Sequence, residues 1–426
     1  MSSAAAAQES LTLDAAVQAA LAHNPTLAGA RAAVRQAQAG VTEARSTYFP
    51  RVSFSDSWQR GNGPVFAFGS LLSARRFGAN DFAIDALNHP DAIGYFHGMF
   101  GVEQLIFDGG RQQAGVDAAH QRTAMAEAGA DGASADLALQ TTEVFGRLLA
   151  AQAAQQTAEA AVKAAGEDAA RAAHRRDAGT ATDADVLAVQ VHLADMRQRA
   201  IQASADAATL RAQLNRLMGA PIEQDYVAQE PPLADAASAD VSTLLSEADA
   251  ARPDLRRAEA AARLANAGVR EARAGWFPQL VAQAGYELDG TSFADRASAW
   301  VVGGGLRWSL SAGGAEAART RAAAEEAVRA RAAADDARAA VHVDVISALR
   351  RLEAARAREA VGRAAVDQAR ESQRIIRDRY DAGMAGVTDV LRAATAVLDA
   401  EAQRVAALVD AVTSQAMLRH AIGRAP

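Results

Sequence analysis

Few residues in this 426-residue chain are of a type and spacing that does chemistry. Carboxylates open two helical runs, at Asp183 and Asp185 after Thr182 and again at Asp389. An acid in a first helical turn accepts hydrogen bonds from free backbone N–H groups and complements the helix dipole, which is the plainest role for all three. The histidines (His23, His89, His97, His120, His174, His192, His342 and His420) are dispersed, and none has a metal-ligand spacing, so no metal is expected. Gly303-Gly304-Gly305 lacks the spacing and lysine of a phosphate loop and lies inside an alternating stretch, where close packing or curvature explains it. Arg75 and Arg76 read as solvated loop residues, with contact to lipopolysaccharide or phage as the alternative. No nucleophile and base pair up, and no nucleotide motif is present, so the reading is no enzyme and no cofactor.

Composition narrows the class. There are no cysteines, which excludes disulfides, thiolate metal sites and a cysteine lipid anchor. A net charge of −7 argues against a nucleic-acid partner. Half the residues are apolar but only 5% are aromatic, and alanine fills much of the difference, which favours long, closely packed helices. No run of about 20 apolar residues occurs, so a membrane would have to be crossed by strands. Met1 to Ser10 has no basic start and no apolar stretch, so export is absent or its signal has been removed.

The elements are organised around one motif that occurs twice. Gly40 to Pro50 (GVTEARSTYFP) recurs as Gly268 to Pro278 (GVREARAGWFP), 228 positions later. Each copy closes an Ala-rich helical run on a proline, which disfavours helix at the preceding Phe49 or Phe277. After each, the pattern changes to period two. Val52, Phe54 and Trp58 oppose Ser53, Ser55, Ser57 and Gln59; Leu280, Ala282, Ala284, Tyr286 and Leu288 oppose Gln279, Gln283 and Glu287. A further strand is expected from about Phe96 to Phe107, and in a fourth Trp300, Val302, Leu306, Trp308 and Leu310 share a face. Segments of about ten residues with one apolar and one polar face fit transmembrane barrel strands. The four tryptophans, Trp58, Trp276, Trp300 and Trp308, lie at or beside strand ends, where membrane-interface aromatics belong.

Past Asp108-Gly109-Gly110, a proline-free helix is expected to Asp177, roughly 100 Å at helical rise. Leu137, Val144 and Leu148 give it a seam at coiled-coil spacing. Another helix runs from Thr182 to Met218. From the glycine pairs onward the offset between halves falls to 204, matching Gly109-Gly110 with Gly313-Gly314, Asp177-Ala178-Gly179 with Asp381-Ala382-Gly383, and Gly219 with Gly423. The whole helix-strand-strand-helix unit is therefore read as duplicated, with a shorter second hairpin loop. The expected organisation is a flexible N-terminus at 1–10, helices at 11–50, a β-hairpin with a long extracellular loop at 51–107 that holds a possible helical turn around Phe68 to Phe77, and long helices at 108–220. A connector follows at 221–242, then helices at 243–278, a second hairpin at 279–310 and long helices at 311–424.

The ordered combination of the duplicated Pro-x-Leu helix start, the Phe-Pro strand entry, Phe107-Asp108-Gly109-Gly110, and Tyr380-Asp381-Ala382-Gly383 ahead of Asp389-Val390-Leu391 resembles the TolC-like outer-membrane efflux channel family. The resemblance covers Leu11 to Arg424. It implies a mixed α and β membrane protein that is a homotrimer, with four strands per chain in a shared 12-stranded transmembrane β-barrel and an α-helical coiled-coil barrel reaching into the periplasm. It implies outer-membrane lipid around the barrel, a periplasmic adaptor and an inner-membrane transporter as partners, and a passive exit duct for small toxic compounds; type I protein secretion is the alternative. In the family, acidic residues near the second helix turn narrow the closed pore. Asp389 falls at one such position, whereas the position three further on is Arg392 here. By that resemblance Asp389 is expected to line the pore, with Tyr380 and Asp185 holding the closed turn, and helix capping remains the other reading of both acids. A soluble coiled-coil scaffold would leave four one-sided apolar strands without a purpose.

Overall fold

Proline and glycine set the element boundaries. The computed structural model describes residues 10–179, 182–233, 240–310 and 312–424. Outside the described residues lie 1–9 of the expected flexible N-terminus, 180–181 of the first helix turn, 234–239 of the connector, position 311 and positions 425–426. In chain order the elements are β1 (Ser10–Leu11), α1 (Leu13–His23), α2 (Pro25–Ser46), β2 (Arg51–Gly61), α3 (Pro64–Ser73), a 3-10 turn (Ala79–Phe82), α4 (Ile84–Asn88), β3 (Ile93–Phe107), α5 (Arg111–Asp177) and α6 (Asp183–Met218). There follow β4 (Val227–Ala228), α7 (Val241–Ala251), α8 (Pro253–Ala274), β5 (Gln279–Gly290), β6 (Ala297–Arg307), α9 (Ala315–Asp381) and α10 (Val387–Ala421). Helix lengths match between the halves: 11 residues in α1 and α7, 22 in α2 and α8, 67 in α5 and α9, and 36 and 35 in α6 and α10.

Two boundaries differ from expectation for local reasons. α2 and α8 end at Ser46 and Ala274, because the residues before each proline tighten into i to i−3 hydrogen bonds, as in Phe49 N–H to Ser46 and Phe277 N–H to Ala274. β6 ends at Arg307 rather than Leu310. Arg307 pairs with Gln279, and the next residue on the partner side is Pro278, which has no N–H to offer.

The described chain forms two compact units. One comprises Arg35–Met125 and Glu259–Ala333 and holds a four-stranded antiparallel sheet in the order β2-β3-β5-β6. Its register puts Phe54, Phe100, Tyr286 and Trp300 in one row across all four strands, with Val52, Val102, Ala284 and Val302 in the next row on that face. The opposite face carries Ser55, Met99, Glu287 and Ala299, then Ser57, His97, Asp289 and Ala297. A bulge at Ile106 interrupts the β3–β5 ladder just before its last pair, Phe107 with Leu280. The Asp108 carboxylate then accepts from the N–H groups of Gly110 (3.1 Å) and Gln112 (2.8 Å) and so starts α5. Gly109 has φ +71°, and a Cβ there would lie 2.7 Å from the Cβ of Phe277, so the strand exit of one half is seated on the strand entry of the other.

The other unit draws on the described residues up to Val34, on Ala126–Ala258 and on residues from Ala334 onward. The expected seam is buried: Leu137, Val144 and Leu148 pack with Phe145 of α5, with Leu214, Leu217 and Met218 of α6, and with Ala16 and Ala20 of α1. Alanine and glycine permit close helix approach. A Cβ on Gly146 would lie 2.8 Å from Val409, and one on Gly362 would lie 3.3 Å from the Cα of Arg404. β1 and β4 form a short parallel pair held to α5 by Gln152, whose amide donates to Tyr226 and accepts from the Ala228 N–H. At the elbow between α1 and α2, Asn24 donates to the Leu217 carbonyl; at the elbow between α7 and α8, Arg252 donates to the His420 carbonyl. The same elbows press on Gly219 and Gly423, where a Cβ would lie 2.8 Å from the His23 carbonyl oxygen and 2.8 Å from the Ala251 carbonyl carbon.

Candidate functional site

At the α5–α6 turn Thr182 is the N-cap of α6, and its hydroxyl accepts the Asp185 N–H at 3.2 Å. The Asp185 carboxylate reaches back to the Thr182 N–H (3.0 Å) and hydroxyl (2.8 Å), closing a capping box. These two hydrogen bonds hold its pKa below the usual carboxylate value. At the α9–α10 turn the Asp389 carboxylate accepts the Gly386 N–H at 3.2 Å and lies 3.5 Å from Arg392, the residue at which the sequence departs from an acidic pair. Both acids therefore serve their own helix starts. Tyr380 presents its ring to the guanidinium of Arg175, 4.7 Å from the ring centroid, so the structure joins the ends of α9 and α5 through a residue that sequence reasoning passed over. Val387 packs with Ala172, Val186 and Val189 beside these contacts.

The four tryptophans fall into two pairs. Trp58, beside Phe96, and Trp300 stand toward the hairpin-loop end of the sheet. Trp276 and Trp308 stand where strands meet helices, tied by Trp308 Nε1 donating to the Trp276 carbonyl at 3.2 Å and by Trp276 Nε1 donating to Thr320 at 3.3 Å. All four are exposed, as are Val52, Phe54, Val302 and Leu306 on the same apolar side. Among the described residues no helix is long and apolar enough to cross a membrane.

The long loop contains more structure than its Gly, Asn, Asp and Pro content predicts. Pro64 opens α3 at a favourable first position, and the helix begins where β2 ends and finishes at Ser73. Its Phe66 ring meets Tyr95 edge-on at 6.1 Å. Beneath it Asp289 is 2% exposed and accepts hydrogen bonds from the Tyr95 hydroxyl (2.5 Å) and from His97 Nδ1 (2.8 Å). Arg75 donates to the Ser298 carbonyl at 2.8 Å, and Arg76 bonds Thr291 and lies 3.9 Å from Asp295. The two arginines expected in solvent therefore strap the first loop to the second hairpin. The sequence signal for α3 was available in Pro64 followed by an uncharged apolar decapeptide.

Comparison with known proteins gives a consistent result. The family model described as "Outer membrane efflux protein" matches residues 16–220 and 244–424. No curated protein matches the sequence. Among solved structures, the chain is similar to the outer membrane protein VceC of Vibrio cholerae (21% identity, TM-score 0.79, 97% of this chain and 96% of that one). It is also similar to the CmeC outer membrane channel of Campylobacter jejuni (17%, 0.82, 96% and 85%) and to the MtrE outer membrane channel of Neisseria gonorrhoeae in an open state (19%, 0.75, 97% and 89%).

Proposed function

The chain belongs to the outer membrane efflux protein family, and on that premise we propose that three copies assemble into a passive exit duct through the outer membrane, driven by an inner-membrane transporter through a periplasmic adaptor. The observation that carries the reading is the four-stranded sheet with one exposed apolar face and two unpaired edges, β2 and β6. Lipid tolerates no open strand edge, so β6 of one copy pairs with β2 of the next until three copies close a 12-stranded barrel. The apolar rows then face lipid, and Trp58 with Trp300, and Trp276 with Trp308, stand at its two interfaces.

The helices support the same closure. α6 leaves Leu187, Val191 and Ile201 exposed and α9 leaves Val361 and Ile375 exposed, with 14-residue spacing between Leu187 and Ile201 and between Val361 and Ile375. Two heptads is the spacing of a coiled-coil seam, and neighbouring copies supply the missing partner. The duct is not an enzyme, and transport energy comes from the inner-membrane partner. At the helix turns Asp389 lines the narrowest part of the pore, with Asp185 and Tyr380 holding the turns around it.

The test is intracellular accumulation of ethidium in cells with and without this protein, the native pump present. Greater accumulation on deletion is expected. Unchanged accumulation together with the loss of a secreted protein would replace the small-molecule reading with type I protein secretion.

A further inference from the structure

α3 lies on the polar face of the sheet. Ala67, Ser70 and Ala74 are buried toward it, and the residues it covers, Tyr95, His97 and Asp289, all belong to that face by register. It starts beside Gly61 at the end of β2, and the Arg75 side chain just past its end reaches the Ser298 carbonyl in β6, so the helix and this strap together span the sheet from β2 to β6. Its other side carries Val65, Phe68 and Leu72 at spacings of three and four, which are 88%, 38% and 57% exposed. Phe68 is braced by Phe77 at 4.6 Å, and Phe77 by Phe82 at 4.9 Å, so the apolar side is built rather than loose.

A barrel in lipid turns its apolar face outward and its polar face to the lumen. In the trimeric reading above, on which this inference rests, α3 therefore lies inside the mouth of the barrel at the hairpin-loop end, with Val65, Phe68 and Leu72 toward the axis. The surfaces that symmetry fixes opposite that side are the same helices of the two other copies. Nothing electrostatic opposes their approach, because Pro64 to Ala74 holds no charged residue and Arg75 and Arg76 are drawn away to the second hairpin. We propose that three copies of α3 meet on the three-fold axis through Val65, Phe68 and Leu72 and close the outer mouth of the duct as an apolar constriction, separate from the helix-turn end.

The chain has no cysteine, so Phe68→Cys and Leu72→Cys each introduce a single thiol. In full-length trimer purified in detergent, oxidation of either variant is expected to link two chains by a disulfide, while Val52→Cys on the apolar face of the sheet stays unlinked. Replacing Val65, Phe68 and Leu72 together by serine is expected to raise single-channel conductance in a planar bilayer roughly two-fold or more, since an apolar constriction blocks ions by dewetting. A trimer in which neither thiol links overturns the contact between copies. Linkage with unchanged conductance in the serine variant overturns the closure. A protein that sediments as a monomer overturns the trimeric reading first, and this inference with it.

Discussion

Arg296, the residue just before β6, reaches across the sheet to Asp56 in β2, with its two terminal nitrogens 3.2 and 3.0 Å from the two carboxylate oxygens. The pair joins the first and last strands of the sheet order over Gly98, where a Cβ would lie 2.9 Å from the guanidinium. Phe96 and Phe293 flank the same group at 5.3 and 4.5 Å. A glycine in mid-strand thus serves a side chain arriving from two strands away.

Removal of one partner leaves a charge that is poorly solvated, since the Arg296 side chain is only 10% exposed. Asp56→Ala is expected to destabilise the folded protein by about 3–5 kcal/mol, the cost of leaving one ion of a shielded pair without its partner, because Asp56 shares the sheet face of Phe54 and Trp58 that the trimeric reading turns toward lipid. Thermal unfolding in detergent measures this. The double change Asp56→Ala with Arg296→Met should recover most of the loss, and no recovery would mean that packing rather than charge is at stake.

The carboxylate of Asp289 organises the floor beneath α3. Asp289→Ala strands the Tyr95 hydroxyl and His97 Nδ1, at about 1–3 kcal/mol for groups left without partners. The expected outcome is faster external proteolysis between Gly61 and Tyr95 in intact cells. Tyr95→Phe, which removes one hydrogen bond and leaves the ring against Phe66, should have the smaller effect.

Much of this architecture is legible in the sequence because it is locally encoded. Pro50 and Pro278 stop helices, period-two stretches become strands, and Gly109, Gly219, Gly313 and Gly423 all adopt positive φ where helical runs begin or end. What escaped depends on partners distant in the chain. The strap from Arg75 and Arg76, the Arg175–Tyr380 contact, and the carbonyl bonds from Asn24 and Arg252 follow no periodicity. α3 was legible only as a possible helical turn around Phe68 to Phe77, because its ten residues sit among glycine, asparagine and proline that mark a loop on their own.

The elbow glycines allow a graded test of backbone constraint. Gly219 has φ +66° and a Cβ there would lie 2.8 Å from the His23 carbonyl oxygen; Gly423 has φ +71° and a Cβ there would lie 2.8 Å from the Ala251 carbonyl carbon. Gly110, at φ +88°, faces open space. Gly110→Ala should therefore cost only the left-handed backbone term, about 1–2 kcal/mol. Gly219→Ala and Gly423→Ala add a clash with backbone that cannot rotate away, and should show lower melting temperatures and lower yields than Gly110→Ala.

Acid should loosen the α5–α6 turn in a defined window. Asp185 has a folded-state pKa below its unfolded value, so its contribution to stability is fully present above the unfolded pKa of about 4 and is lost as pH falls through the folded value. Hydrogen exchange of the Thr182 and Asp185 amides should be flat from neutral pH down to that point, after correction for intrinsic rates, and faster below it. In Asp185→Ala the protection should be low throughout and the acid step absent.

The contact between Arg175 and Tyr380 links the ends of α5 and α9 through a ring face, which needs no hydroxyl. At an exposed site such a contact contributes about 0.5–1 kcal/mol per chain, small alone but repeated in each copy of the proposed trimer. If it holds the helix-turn end closed, Arg175→Ala and Tyr380→Leu raise single-channel conductance or open probability, and Tyr380→Phe behaves like the parent. A response to Tyr380→Phe equal to that of Tyr380→Leu would transfer the role from the ring to the hydroxyl. Asp389→Ala separates the carboxylate proposed to line the pore from this latch: it should lower cation selectivity, measured as a reversal-potential shift in a salt gradient, whereas Arg175→Ala should alter opening with selectivity retained.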